Sequence, residues 1–260
     1  MRLHLRKIAL LSIILLMTAA IAKISTPPIK SVYENFSGFL SHWNLILGNG
    51  ENISNVAGFE DRNYFYPITD EGKTWLAFKT PNGGTTHGTS NNTRTELAQK
   101  LKWLPEERAV LAATVKVMAV SESGRNDVSA SHSTVIGQIH SSDGFENEPL
   151  KIFYKKYPGH KKGSVFWHYE INPAGDSNSK RWDFSSAVWG NDFSVIGTSA
   201  NTVPEEPLEG IEIGESFRYT IIVKNGEMKL IFESENHPTK IFIKNLIQSD
   251  YTADSCIHSQ

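Results

Sequence analysis

The dipeptide Asn225-Gly226 narrows the fold of this chain more than any other stretch. It separates two β-rich runs, Phe217-Arg218-Tyr219-Thr220-Ile221-Ile222-Val223-Lys224 and Glu227 to Glu233. Both residues tolerate positive φ, which a two-residue hairpin turn requires, so the runs predict an antiparallel pair. The same texture recurs along the chain. Residues 75–78 form a short apolar run closed by Pro81-Asn82-Gly83-Gly84, and further β-rich runs cover 94–101, 110–120, 134–140, 150–154, 165–171 and 240–246. Helical periodicity is nearly absent beyond the N-terminus, with one helical turn expected near Phe36 to Trp43. Many short strands with turn residues between them predict an all-β chain, a β-sandwich or jelly roll of two antiparallel sheets.

Residues 1–22 read as a signal peptide. Arg2, Arg6 and Lys7 precede an apolar run from Ile8 to Ile21, and Ala20-Ile21-Ala22 supplies a small-x-small cleavage site. The alternative is an uncleaved anchor, but the run is short for a membrane span. The expectation is a secreted or periplasmic protein, free of the membrane once cleaved, with one domain over residues 31–255. Cys256 is the only cysteine, so no disulfide can form within the chain and the fold must rest on its core. A net charge of −2 argues against nucleic acid as a partner. It leaves room for a polyanion held in a local basic cleft. The nine histidines form neither H-E-x-x-H nor a Cys/His pattern, so neither metal nor cofactor is expected. A monomer is expected.

Two stretches could carry chemistry. On a strand over Thr134–His140, alternation puts Val135, Gly137 and Ile139 on one face and Ile136, Gln138 and His140 on the other. An amide can hold an anionic oxygen and an imidazole can move a proton. The plain alternative is a strand running out into the polar loop Ser141-Ser142-Asp143-Gly144. In Asn92-Thr93-Arg94-Thr95-Glu96-Leu97, Arg94 and Glu96 share a face. They are either an ordinary surface pair, or a guanidinium oriented by Glu96 toward a carboxylate, which Arg grips bidentately. Arg94, Gln138 and His140 together suit β-elimination from a uronic acid polymer. The C5 proton becomes removable once the adjacent carboxylate is neutralised and a base is at hand. Lys151, Lys155 and Lys156 either line a cleft for a polyanion or decorate a solvated edge strand. Trp182 and Trp189 either stack on sugar rings or pack in the core.

Arg94-Thr95-Glu96-Leu97 and Gln138-Ile139-His140 resemble the first two of three signature blocks of the alginate lyases of polysaccharide lyase family 7. The similarity continues through Glu148 to Lys156, Phe166 to Pro173 and Gly214-Glu215-Ser216-Phe217, over most of residues 31–250, toward the branch that includes exolytic members. The resemblance implies a jelly roll with a concave substrate groove. It implies alginate, an anionic polysaccharide, as the partner, cleaved to unsaturated uronate ends. Arg94 and Gln138 would neutralise the carboxylate, His140 would act as base or assist it, and Glu96 and Lys151 would help bind substrate. Ile139 implies a preference for guluronate-containing chains.

Two departures stand out. Ala98 occupies a place where the family usually has a basic residue. The third block, Y-F-K-A-G-x-Y-x-Q, should bring a catalytic Tyr and a Lys on a neighbouring strand. The sequence Ser249 to Ser255 resembles the approach to that block, and Cys256-Ile257-His258-Ser259-Gln260 follows it with neither residue. Tyr251 lies in the approach and does not inherit the role. An impaired lyase, a non-catalytic carbohydrate-binding sandwich and an inactive truncated lyase therefore all stay open. An altered strand there would also leave neighbouring backbone groups unpaired and the protein prone to aggregate.

Overall fold

The computed structural model describes residues 36–86, 92–126, 131–141, 149–171, 182–193, 203–246 and 257–259. The signal segment, Tyr251 and Cys256 lie outside them. The described chain runs through β1 (Trp43–Ile46), β2 (Asn52–Ile53), β3 (Phe65–Asp70), β4 (Lys73–Phe78), β5 (Glu96–Gln99), β6 (Ala109–Lys116), β7 (Ser133–Ser141), β8 (Leu150–Lys155), β9 (Lys162–Ile171), β10 (Trp182–Trp189), β11 (Ile211–Glu212), β12 (Ser216–Lys224), β13 (Glu227–Ser234), β14 (Lys240–Asn245) and β15 (Ile257–Ser259). One helical turn, residues 36–40, precedes β1 where the sequence suggested it. No helix among the described residues is long and apolar enough to cross a membrane.

Every ladder is antiparallel, and two sheets form the body. One has the order β10-β9-β8-β7-β15, with β11 against β9; the other has the order β14-β13-β12-β6. Smaller sheets, β2-β1-β5 and β3-β4, complete the fold. The hairpin at Asn225-Gly226 forms as expected. Both residues have positive φ, 52° and 75°, and Lys224 faces Glu227 across the turn.

The alternation of each strand explains why the sheets stack. On β12 and β13, Phe217, Tyr219, Ile221, Val223, Met228, Leu230 and Phe232 are buried, and the residues between them are more exposed. From the other sheet come Ile139, Leu150, Ile152, Tyr154, Val165, Trp167 and Tyr169. Each such side chain contributes about 1.5–3 kcal/mol on burial. A second cluster, built on Leu40, Leu45, Leu47, Val56 and Phe65, lies under the β1 region.

Trp189 settles one alternative. It is 1% exposed, packs edge-on to Phe217 and Phe232, and its indole N–H donates to the carbonyl of Pro238 at 2.9 Å. It is a core residue. The side chain of Trp182 lies outside the described set. β8 lies between β7 and β9, so the lysines on it do not decorate an edge strand.

One strand departs from simple alternation. Ser133, Thr134 and Val135 face Lys155, Tyr154 and Phe153 in turn, but Ile152 is faced by Gly137 rather than Ile136. Ile136 is the extra residue of a β-bulge, which turns it toward the core and offsets the strand by one. Val135 is consequently 42% exposed, on the face opposite Gly137 and Ile139. The expectation that these three share a face fails at Val135, and the expectation that Ile136 sides with Gln138 and His140 fails for the same reason.

Candidate active site

The outer face of the β10-β9-β8-β7-β15 sheet collects most of the polar candidates. Past the bulge, Ile139 points inward at 1% exposure, so Gln138 and His140 point outward from β7. Lys151 faces Gln138 across the β7–β8 ladder, and His168 faces Lys151 across the β8–β9 ladder. Three polar side chains therefore stand in a row across three strands, one strand spacing of about 4.8 Å apart. Glu170 continues the outward face of β9, is fully buried, and holds its Oε2 4.0 Å from the Lys151 ammonium. Sequence reading missed His168 and Glu170. The signal was available in β9, where Phe166, His168 and Glu170 alternate with the core residues Val165, Trp167 and Tyr169.

Arg94 and Glu96 come from a different sheet. Thr93 and Thr95 anchor the approach to β5: Thr93 Oγ1 donates to the Pro81 carbonyl and Thr95 Oγ1 to the Lys79 carbonyl, both at 2.8 Å. Leu97 packs on the second core cluster. With Thr95 and Leu97 turned to the protein, Arg94 and Glu96 are left together, and Arg94 Nη1 donates to Glu96 Oε1 at 3.1 Å. The pair is mostly covered, at 24% and 19% side-chain exposure. A partly desolvated guanidinium held by one carboxylate keeps further N–H groups directed elsewhere.

β15 links the two groups. Its backbone pairs with the edge of β7 in the register Ile257↔Ser141, His258↔His140 and Ser259↔Ile139, and it also lies against β5. β15 thus lies between β7, which carries Gln138 and His140, and β5, which Arg94 and Glu96 open. On the core side, Ile139 instead joins Trp103, Leu111, Ile221 and Val223 around a cavity of about 400 Å³. Ile139 reaches it from the opposite face of β7 to Gln138 and His140, so this cavity is distinct from the polar row.

Of the three β8 and post-β8 lysines, only Lys151 joins the row. Lys155 is 2% exposed; its ammonium donates to the Ser131 carbonyl and lies 4.9 Å from the Tyr157 ring centre and 5.7 Å from that of Phe193. Burial holds its pKa down at about 8. Lys156 donates to the carbonyl of His160 at 3.0 Å. No group of three or more His, Cys, Asp or Glu among the described residues could hold a metal ion.

Comparison with known proteins identifies the family. The alginate lyase family model matches residues 39–257. An alginate lyase from Klebsiella pneumoniae is 26% identical over 281 residues, covering 91% of this chain and 85% of that one. Among solved structures, the exolytic PL7 alginate lyase AlyA5 from Zobellia galactanivorans superposes with a TM-score of 0.80 at 45% identity, covering 87% of this chain and 81% of that one. The crystal structure of the alginate lyase from Klebsiella pneumoniae gives 0.72 at 22% identity, with 88% of each chain covered, and so supports the fold. From the family match across nearly the whole described chain, and from a jelly-roll relative at 45% identity, it follows that this chain belongs to the alginate lyases of the polysaccharide lyase family 7 type.

Proposed function

We propose that this chain is an exported lyase that cleaves alginate by β-elimination on the outer face of β7, β8 and β9. The observation that carries the reading is the pairing of Gln138 with His140 on one face of β7, with Lys151 directly across from Gln138. The names of its relatives support alginate as the substrate.

In this reading the uronate carboxylate lies between Arg94 and the Gln138 amide. Their donors stabilise the charge that builds on the carboxylate as C5 loses its proton. Losing one such preorganised donor typically costs about 3–4 kcal/mol in the barrier. His140 Nε2 or Nδ1 takes the C5 proton. The electron pair of the C5–H bond forms the C4=C5 double bond, the C4–O4 bond breaks, and O4 leaves with a proton drawn from solvent or from the imidazolium just formed. Glu96 holds Arg94 in place, and Lys151 attracts a neighbouring carboxylate of the polymer. The preference for guluronate-containing chains rests on the family resemblance at Ile139, whose side chain itself faces the core.

The test is to mix purified protein with alginate and follow the ultraviolet absorbance of the unsaturated uronate product. A rising signal that His140→Ala abolishes is the expected result. A signal that persists in His140→Ala would remove His140 from the mechanism, and binding without any signal in the unaltered protein would make the chain a carbohydrate-binding sandwich. AlyA5 is exolytic; small unsaturated products from the first turnovers would show that this chain shares that mode.

A further inference from the structure

The bulge at Ile136 decides which way the candidate catalytic residues point. Counting on from Val135↔Phe153 without it, Ile136 would face Ile152, Gly137 would face Lys151, and Gln138 would face Leu150. Gln138 and His140 would then enter the core, because a one-residue offset exchanges the faces of a strand. A bulge also frees a carbonyl from the ladder, and a buried carbonyl must find another donor.

That donor comes from the opposite sheet. Tyr219, on β12, is 4% exposed and donates its hydroxyl to the Ile136 carbonyl at 2.7 Å. Gly137 makes room for it: a Cβ there would stand 2.9 Å from both Cζ and Oη of Tyr219. The ring fills the core while its one polar atom closes the open position of β7. Burial pushes the phenol pKa up, so it remains a donor through the ordinary working range.

We infer that Tyr219 is a positioning residue for Gln138 and His140, pinning the Ile136 bulge from across the sandwich. The inference rests on the proposed elimination at that face. Tyr219 touches neither substrate nor reacting atoms. It acts by fixing the strand phase, and a misplacement of about 1 Å at a reacting group can cost about 100-fold in rate.

The test compares Tyr219→Phe, which removes only the hydroxyl, with Gly137→Ala, which drives a methyl into the ring. Ile221→Val, a core truncation on the same strand, is the control. Each is measured for kcat and KM on alginate below its own melting temperature, alongside His140→Ala. The expected result is a fall in kcat of about 10- to 100-fold in both Tyr219→Phe and Gly137→Ala, with KM within about threefold. Ile221→Val should melt earlier yet keep its kcat. The imidazole NMR signal of His140, assigned by its loss in His140→Ala, should shift in Tyr219→Phe and not in Ile221→Val.

A folded Tyr219→Phe with kcat within twofold of the parent and an unmoved His140 signal overturns the inference. If Tyr219→Phe does not fold, Gly137→Ala decides by the same two readings. Should the parent and His140→Ala be equally active, the elimination reading fails instead. The His140 signal then still reports whether Tyr219 sets the strand phase.

Discussion

Lys155 makes the stability of this protein depend on pH in a direction opposite to that of most lysines. Its amine is 2% exposed, and burial lowers its pKa from an ordinary 10.5 to about 8. The Ser131 carbonyl and the rings of Tyr157 and Phe193 favour the charged form but do not offset its desolvation. Between about pH 8 and about pH 10.5 the unfolded chain therefore binds more protons at this site than the folded one. Stability must rise with pH across that window, because the cost of burying the charge disappears as the folded amine loses its proton. With a folded pKa near 8, the gain between about pH 7.5 and about pH 9.5 is about 1–2 kcal/mol.

Other groups do not mask the rise. Burial pushes the phenols of Tyr154 and Tyr219 above their ordinary 10.0, so they cost stability only from about pH 10 upward, where the unfolded phenols ionise, beyond the range of the gain just given. Lys116 is pushed above its ordinary value by the hydrogen bonds its ammonium donates to Asp70 and Glu71, so its contribution also fades only above the window. The assay is urea unfolding at several pH values across the window, with Lys155→Met as the comparison. The parent should gain stability and Lys155→Met should stay nearly flat. A flat or falling parent curve, or an equal rise in Lys155→Met, would show that the amine is not the titrating group.

Two further substitutions test the neighbourhood of the site and the core. Arg94→Lys keeps the charge but loses the planar fork, so kcat/KM on alginate should fall about 100-fold with the melting temperature little changed; near-parental activity would make Arg94 an ordinary surface partner of Glu96. Trp189→Ala should destabilise the protein by about 3–5 kcal/mol in urea unfolding while leaving KM unchanged for the folded fraction, and a selective rise in KM at unchanged stability would return Trp189 to a sugar-stacking role.

Much of the sandwich was legible because buried faces impose a period of two on the strands that line them. β12 and β13 show it plainly, and so does their Asn225-Gly226 turn. β3 was not legible, since Pro67 interrupts it; the strand tolerates the proline because its ladder runs only to β4. β10 was hidden by composition: Ser185 and Ser186 sit among its apolar residues and read as loop. Lys155 misled for a related reason. Its charge suggests a wet cleft, whereas the aromatic rings around it form a buried box that no local pattern announces.

The site itself was legible by residue type and not by geometry. Arg94 with Glu96 and Gln138 with His140 are each local pairs, two residues apart in an extended stretch, and a period of two is enough to place each pair on a common face. What brings the two pairs toward each other is long-range: β15, from the far end of the chain, lies between the strands that carry them. What turns the second pair outward is also long-range, a phenol 83 residues downstream bonding a carbonyl two residues before Gln138. A period-two reading assigns Ile136 and Gln138 to one face only if the ladder runs through Ile136 without a bulge. The glycine at 137 marks the insertion, because close approach of another side chain is one of the few reasons for a glycine inside a strand. Gly137 was therefore the local trace of a contact between the two sheets, and the orientation of Gln138 and His140 belongs to the packing of the whole sandwich rather than to their own strand.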